Sequence, residues 1–296
     1  MSQEWQSSIN THIPVMPKEV LSYLNIQKDG IYIDGTIGLG GHSKLILSQL
    51  STKGRLIGID RDAEALKICK KRLSPNHPSL SLFNNSYDEI NSILDSLEIE
   101  KVNGILLDLG LSSFQLDSKD RGFSYKSDCD LDMRFDKSQK KNAFHILNNT
   151  SEKILGDIIY YNGEERRSRI IARRIISMRP INKVFDLVEA IRKSTPPFKR
   201  NKSISRVFQA IRISVNNELD KLDHFLSTFY PRLMNGGRIV IISFHSLEDR
   251  KVKQSFRQLK NEKDMKILTK KPLIPSKKEI LENNRSRSAK LRVAER

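Results

Sequence analysis

The sequence predicts an α/β fold: a doubly wound, mostly parallel sheet of Rossmann-like type with a helical domain inserted into it. Three observations predict it. Short apolar runs alternate with amphipathic helical periodicity, the first run ends in a glycine-rich turn, and the alternation stops between about residues 115 and 217 before it resumes.

Taken in order, "GIYIDG" (30–35), "GRLIGID" (54–60), "LSLF" (80–83), "GILLDLG" (104–110) and "GRIVIISF" (237–244) read as strands. Several are apolar on both faces, as strands covered by helices on both sides must be. Leu66, Cys69 and Leu73 share one helical stripe, and Leu219, Leu222, Phe225, Leu226 and Phe229 share another before Pro231. A helix from about 246 to 260 follows the fifth strand, and "MKILTK" and "KLRVAER" are candidate closing strands separated by a basic loop. In the interruption, "EERRSRIIARRIISM" reads as a helix whose Ile170, Ile171, Ile175 and Met178 face a core while its arginines point elsewhere. The expected domains are therefore 1–114 with 218–296, and an inserted domain over 115–217.

A chain of 296 residues can bury a sizeable core. Cys69 and Cys129 stand sixty positions apart without metal-ligand spacing, so neither a disulfide framework nor a zinc site is expected. The polar start "MSQEWQSSINTH" has no apolar signal-peptide region and no later run is long enough to cross a bilayer, which predicts a soluble cytoplasmic protein with no membrane partner. The net charge of +17 is unevenly spread: residues 161–212 and 251–296 each carry about ten excess positive charges, while the rest is close to neutral. A biased genome would spread lysine evenly; two basic blocks point to a polyanion-facing surface.

The first turn offers chemistry. Asp34 ends a strand, Gly35, Gly38, Gly40 and Gly41 follow, and a helix starts near His42 or Ser43, so the backbone can approach a ligand closely. Asp60 ends the next strand, where a carboxylate can accept both hydroxyls of an adenosine ribose. A dinucleotide fingerprint begun at Gly38 would need glycine where Ser43 stands, and Gly41-His42-Ser43 lacks the lysine of a phosphate-binding loop. An acid before the turn suits a ligand with an ammonium group and no phosphate, and S-adenosyl-L-methionine has one. A second polar patch follows the fourth strand, where Asp108, Ser112, Ser113 and Gln115 should face the same crevice. "LDMRF" could be part of a site or a salt-bridged structural corner.

Ten segments, from "HIPVMPKEVL" through "DGTIGLGGHS", "GIDRD", "LLDLGLSSFQLD", "RGFSY", "LDMRFD", "NGEER", "FQAIRISVNNEL" and "ISFHSLEDRKVK" to "NRSRSAKLRVAER", together resemble the bacterial RsmH (MraW) family. The resemblance implies a class I methyltransferase sheet with a helical substrate-recognition lobe, and transfer of a methyl group from S-adenosylmethionine to the N4 amine of a decoding-centre cytosine in 16S ribosomal RNA. It implies cofactor contacts at Gly40, Gly41, His42, Asp60, Tyr87, Asp108 and Gln115. Three departures from the family pattern touch loops: Phe114 replaces a proline, Cys129-Asp130 replaces glycine-proline, and "KSISR" (202–206) replaces "HPATR".

For methyl transfer the protein has to align and desolvate a poor nucleophile, and an acceptor hydrogen-bonded to an N4 hydrogen favours the reactive, pyramidal amine. Asp108, or a carbonyl of "DLGLSS", is the candidate acceptor, with Ser112 and Ser113 shaping the pocket and His245 a second candidate for orienting the base or relaying a proton. No metal is expected. Arg166, Arg167, Arg169, Arg173 and Arg174, with Arg285, Arg287, Lys290 and Arg292, are the candidate phosphate contacts for 16S rRNA, which is expected to be met within the small ribosomal subunit; pairing with a second copy of the chain is left open. A nicotinamide-dependent oxidoreductase is disfavoured by Ser43 and the basic surface. An RNA-binding assembly protein with a vestigial cofactor fold is disfavoured by the polar patch around Asp108.

Overall fold

The computed structural model describes residues 13–73 and 79–296. The polar N-terminal stretch and part of the loop before the third strand lie outside the described residues. The chain divides into two compact units, one holding the residues up to Ser112 together with Leu219–Arg296, the other Ser113–Glu218.

The first unit is built on one sheet. β1 (Ile31–Asp34), β2 (Arg55–Ile59), β3 (Leu80–Phe83), β4 (Val102–Asp108) and β5 (Leu233–Ser243) run parallel. The short β6 (Lys266–Ile267) and β7 (Lys290–Glu295) close it as antiparallel partners, giving the order β3-β2-β1-β4-β5-β7-β6. That order, with an antiparallel strand beside β5, is the class I methyltransferase sheet. Alternation along each central strand feeds two cores. Ile33, Ile105, Leu107, Ile239 and Ile241 point into one, with Phe225 and Phe229 stacked at 5.3 Å within it. Tyr32, Leu106, Val240 and Ile242 point into the other. The first layer is covered by the helices Ile90–Ser96, Glu218–Thr228 and Ser246–Lys263; the second by α1 (Pro17–Leu24), α2 (Gly41–Leu47) and α3 (Ala63–Leu73). Here α4 is Ile90–Ser96, α11 Glu218–Thr228 and α12 Ser246–Lys263, and a short α13 (Lys277–Glu282) precedes β7. None of the described helices is long and apolar enough to cross a membrane.

Two strands differ from expectation. β5 starts at Leu233, four residues before 237, because its pairing with β4 jumps from Val102–Leu233 to Gly104–Arg238 and the extra residues bulge through Gly236, at φ 77°. The run "MKILTK" yields only two ladder residues. Beyond them the Leu268 amide still donates to the Val293 carbonyl at 3.0 Å, and the Thr269 hydroxyl accepts the Val293 amide at 2.9 Å, so a side chain shares the pairing. The chain's last residue is tied in: Arg296 exchanges backbone bonds with Gly236 and Gly237, and its guanidinium donates to the carbonyls of Tyr230, Pro231 and Leu233.

The inserted unit is helical: α5 (Ser113–Asp117), α6 (Ala143–Asn149), α7 (Glu152–Gly163), α8 (Ser168–Ser177), α9 (Val184–Ser194) and α10 (Arg200–Asn216). Asn142 and Ser151 cap α6 and α7 by accepting the amides of His145 and Ile154. The "NGEER" segment is a packing device. A Cβ on Gly163 would stand 2.6 Å from the Arg206 carbonyl of α10, and the buried Glu165 accepts from the Arg167 amide and the Ser203 hydroxyl, both at 2.9 Å. Ser203 belongs to the divergent "KSISR", which therefore serves this carboxylate. "LDMRFD" is a salt-bridged corner in which Arg134 forks onto Asp132 at 2.7 and 2.8 Å. Burial works against the Asp132 carboxylate, but the guanidinium holds it below the usual range. The buried Arg121 of "RGFSY" donates to the carbonyls of Arg134 and Phe135. On α8 the buried face is Ser168, Ile171, Ala172 and Ile175, while Ile170 is 48 % exposed. This corrects the expected stripe: neighbours one residue apart lie about 100° apart around a helix, so a face that buries Ile171 turns Ile170 outward.

Candidate active site

The sheet order reverses between β1 and β4, and open α/β sheets bind ligands outside the carboxyl ends of strands at such a reversal. The turn after β1 joins three strands there. Gly35 donates to the Leu106 carbonyl (2.9 Å), Ile37 to the Ile59 carbonyl (3.0 Å), and the Thr36 hydroxyl accepts the Asp108 amide (2.7 Å). Gly40 requires its missing side chain twice over. Its φ is 82°, and a Cβ would stand 2.5 Å from Leu73 Cδ1 on α3. With Gly40 as the cap, α2 begins at Gly41, one residue before the earliest start the sequence suggested.

Asp34 is buried inside this turn. Its Oδ2 accepts the Ser43 hydroxyl at 2.7 Å, its Oδ1 accepts the Thr36 amide at 3.3 Å, and burial pushes its carboxyl above the usual range. It fixes the turn to α2, which is a different task from receiving an ammonium group. Asp60, just past β2, accepts the Gly38 amide on Oδ2 at 2.8 Å and the Asp62 amide on Oδ1 at 2.9 Å. Each oxygen keeps a second lone pair for a further donor. Burial, outweighing those two amides, pushes the Asp60 carboxyl up to about 6.

His42 is buried, and its Nε2 lies 3.6 Å from Asp108 Oδ2, too far for a hydrogen bond. Among the described residues, neither ring nitrogen of His42 nor Asp108 Oδ1 has a hydrogen-bond partner. Leaving such a group buried and unmade costs about 1–3 kcal/mol, so a cluster of them beside a glycine turn marks where a ligand completes the bonding. Ser112 flanks the same turn, its Cβ 3.7 Å from where a Cβ on Gly38 would stand. Tyr87 follows β3 on a short 3-10 turn, half-buried, with its ring edge-on to Phe225 at 5.7 Å.

The remaining candidates belong to other elements. Gln115 is buried on α5 of the inserted unit, and the Ser113 side chain lies outside what is described. His245 caps α12: its Nδ1 accepts the Glu248 amide at 3.4 Å and its Nε2 is 3.2 Å from the Glu248 carboxylate. Two contributors escaped the sequence reading. Thr36 carries no signal beyond its place in the turn. Asp62, which accepts the amides of Glu64 and Ala65 at the start of α3, was legible as a capping acid in "DRDAEA".

Of the cations on α8 and just before it, Arg166 and Arg174 are exposed with no ion-pair partner among the described residues, and Arg173 is exposed 3.4 Å from Glu152. Arg169 reaches Asp157 and the Lys153 carbonyl, and the half-buried Arg167 donates to the Ser194 carbonyl at 2.9 Å. Arg285 and Arg287 are exposed, and Lys290 lies 3.6 Å from Asp249. Arg292 is a correction. It is 6 % exposed, and its Nε bonds Asp249 at 2.7 Å, which holds that carboxylate below its usual range despite burial. Its charge is consumed between β7 and α12 and cannot meet a polyanion.

Fold and site define a class I methyltransferase, the class whose methyl donor is S-adenosylmethionine. The residues suit that donor: each Asp60 oxygen keeps a lone pair that a ribose hydroxyl would fill, and His42 and Asp108 carry unpartnered polar atoms beside the turn. The chain belongs to the MraW methylase family, whose model matches residues 9–296. Similar proteins include ribosomal RNA small subunit methyltransferase H of Thermosipho africanus, 50 % identical with 96 % of this chain and 97 % of that one covered. The proteins of the same name from Kosmotoga olearia (48 %, covering 97 % of each) and Clostridium botulinum (47 %, covering 95 % and 97 %) are close behind.

Proposed function

We propose that this protein methylates the exocyclic N4 amine of a decoding-centre cytosine in 16S ribosomal RNA, cytosine 1402, acting in the cytoplasm on the small subunit or its rRNA. The observation that carries the chemistry is the pair of buried, unpartnered groups on His42 and Asp108 at the β1–β4 reversal. The substrate is inferred from relatives about half identical over nearly their whole length.

When bound, S-adenosylmethionine supplies a methyl group already activated by a sulfonium. Gly40, Gly41, His42, Asp60, Tyr87, Asp108 and Gln115 are the proposed contacts. Asp108 accepts a hydrogen from the cytosine N4 amine, so that the nitrogen lone pair leaves the ring system and points along the line of displacement. Ser112, over the glycine turn, shapes the entry of the base. The base has to leave its stack to reach this depth, which suits single-stranded or loosely paired RNA. Arg166, Arg167, Arg169, Arg173 and Arg174, with Arg285, Arg287 and Lys290, are the proposed grip on its phosphates. His245, held in its helix cap, has no step here.

The test is incubation of under-methylated small subunits with labelled S-adenosylmethionine, followed by mapping of the modified nucleotide. One label on the N4 of one decoding-centre cytosine is expected. No label, or label on another atom, from protein that binds S-adenosylhomocysteine would overturn the assignment.

A further inference from the structure

Within the inserted unit, α8, the end of α9 and the loop after it enclose an open groove of about 600 Å³. Four cations line it, Arg167 just before α8, Arg173 and Arg174 from α8 and Lys193 from α9, and no carboxylate does. Arg173 and Lys193 have ion-pair partners, Glu152 at 3.4 Å and Glu189 at 2.6 Å, but all four of those side chains are largely exposed. Such pairs are weak and give way to a polyvalent anion. Arg174 has no such partner among the described residues. The outward Ile170 supplies an apolar wall that water alone would not favour.

The second observation is at the rim. Pro196 lines the groove, and Phe198, two residues on and so within about 7.6 Å along the chain, is 83 % exposed with the Lys199 ammonium 5.3 Å over its ring. An aromatic face bracketed by cations matches an unstacked nucleobase on a phosphate backbone. An acidic peptide would use the cations and leave the ring idle.

We propose that this groove binds the backbone of a single-stranded RNA segment flanking the target nucleotide, with Phe198 stacking on one of its bases. The proposal rests on the rRNA reading above. Lys193 and Phe198 are its new contacts, and Ile170 acquires a reason to be outside.

The test measures binding of a short single-stranded oligouridine to the full chain against salt concentration. It is repeated for Arg174→Gln/Lys193→Gln, for Phe198→Ala and for Phe198→Trp, with S-adenosylhomocysteine titration and thermal unfolding to confirm that each variant folds. The double variant should lower the salt slope by about 1.4, roughly 0.7 for each cation lost. Phe198→Ala should weaken binding about 5- to 100-fold without changing the slope, and Phe198→Trp should restore it. Unchanged affinity and slope in folded variants would overturn the groove, as would polyglutamate displacing the RNA while Phe198→Ala binds like the wild type. Methyl transfer to small subunits separates the two levels. Wild-type kcat/KM in every groove variant sinks the groove and leaves the rRNA assignment standing; a wild-type protein that labels no rRNA, with groove variants still losing oligouridine, sinks the assignment and leaves the groove.

Discussion

The glycine turn of the sheet unit and the basic face of the inserted unit both concentrate polar chemistry, but they are built in opposite ways. In the turn, Asp34, Asp60 and Thr36 are wired through hydrogen bonds to the backbone of the turn itself, of the segment after β2 and of the end of β4. On α8 and just before it, Arg166, Arg173 and Arg174 stand in solvent with at most one weak pairing each among the described residues. The first arrangement is pre-organised, so one altered atom propagates through the whole; the second is a field of mobile charges in which each member contributes a small, similar share.

Four substitutions or conditions would break or sharpen that contrast. The largest effect is expected from Gly40→Val, which adds a left-handed backbone penalty of about 1–2 kcal/mol to an overpacking cost of about 1–3 kcal/mol against Leu73. Denaturant unfolding should show the loss, and S-adenosylhomocysteine binding should vanish with it; a stable, ligand-binding variant would mean the turn is far softer than its geometry. Next, Asp108→Asn should lower kcat about 100-fold while the fold is kept. Turnover at the wild-type rate with normal cofactor affinity would remove Asp108 as the acceptor.

A pH effect follows. The Asp60 carboxyl is raised by burial from 3.8 to about 6, so its protonated form is the one the fold favours. Its contribution to stability is complete below about 3.8 and is lost as pH rises through about 6. Ribose hydroxyls favour the charged form, so S-adenosylhomocysteine affinity should fall as pH drops below about 6, by at most tenfold per unit, with Asp60→Asn abolishing the dependence. A flat titration calorimetry profile between pH 5 and 7, at roughly the span set by that value, would argue that Asp60 does not meet the ribose. The smallest effect is Arg166→Gln, which should flatten the salt dependence of RNA binding by only about 0.7 and leave stability within about 0.5 kcal/mol. A large loss of stability would reveal Arg166 as structural.

Much of the sheet unit is legible because its information is local. A short apolar run between turn residues names a buried strand, and four glycines in seven positions name a turn that side chains would block. What stays hidden is long-range or one residue fine. The Thr36 latch depends on a strand end seventy-two positions away. Ile170 and Ile171 are chemically identical, and only the placement of α7 and α9 against α8 decides which faces inward. Arg292 looks like any basic C-terminal residue until β7 sets it against Asp249. "NGEER" and "LDMRFD" carry charge that reads as function, yet their carboxylates serve packing corners. For the cofactor set, the resemblance names residues, and the structure adds why Gly40 and Asp60 are suited to the task while leaving Gln115 on the other unit.

The antiparallel closure of the sheet by β7 bears on biosynthesis. Until residues 290–295 leave the ribosome, the nascent chain exposes an unpaired β5 edge whose Ile239, Val240, Ile241 and Ile242 are all buried in the finished protein. Folding of this unit is thus incomplete until β7 has been made, and a chain cut before Lys290 would yield a sticky, insoluble product instead of a slightly weakened protein.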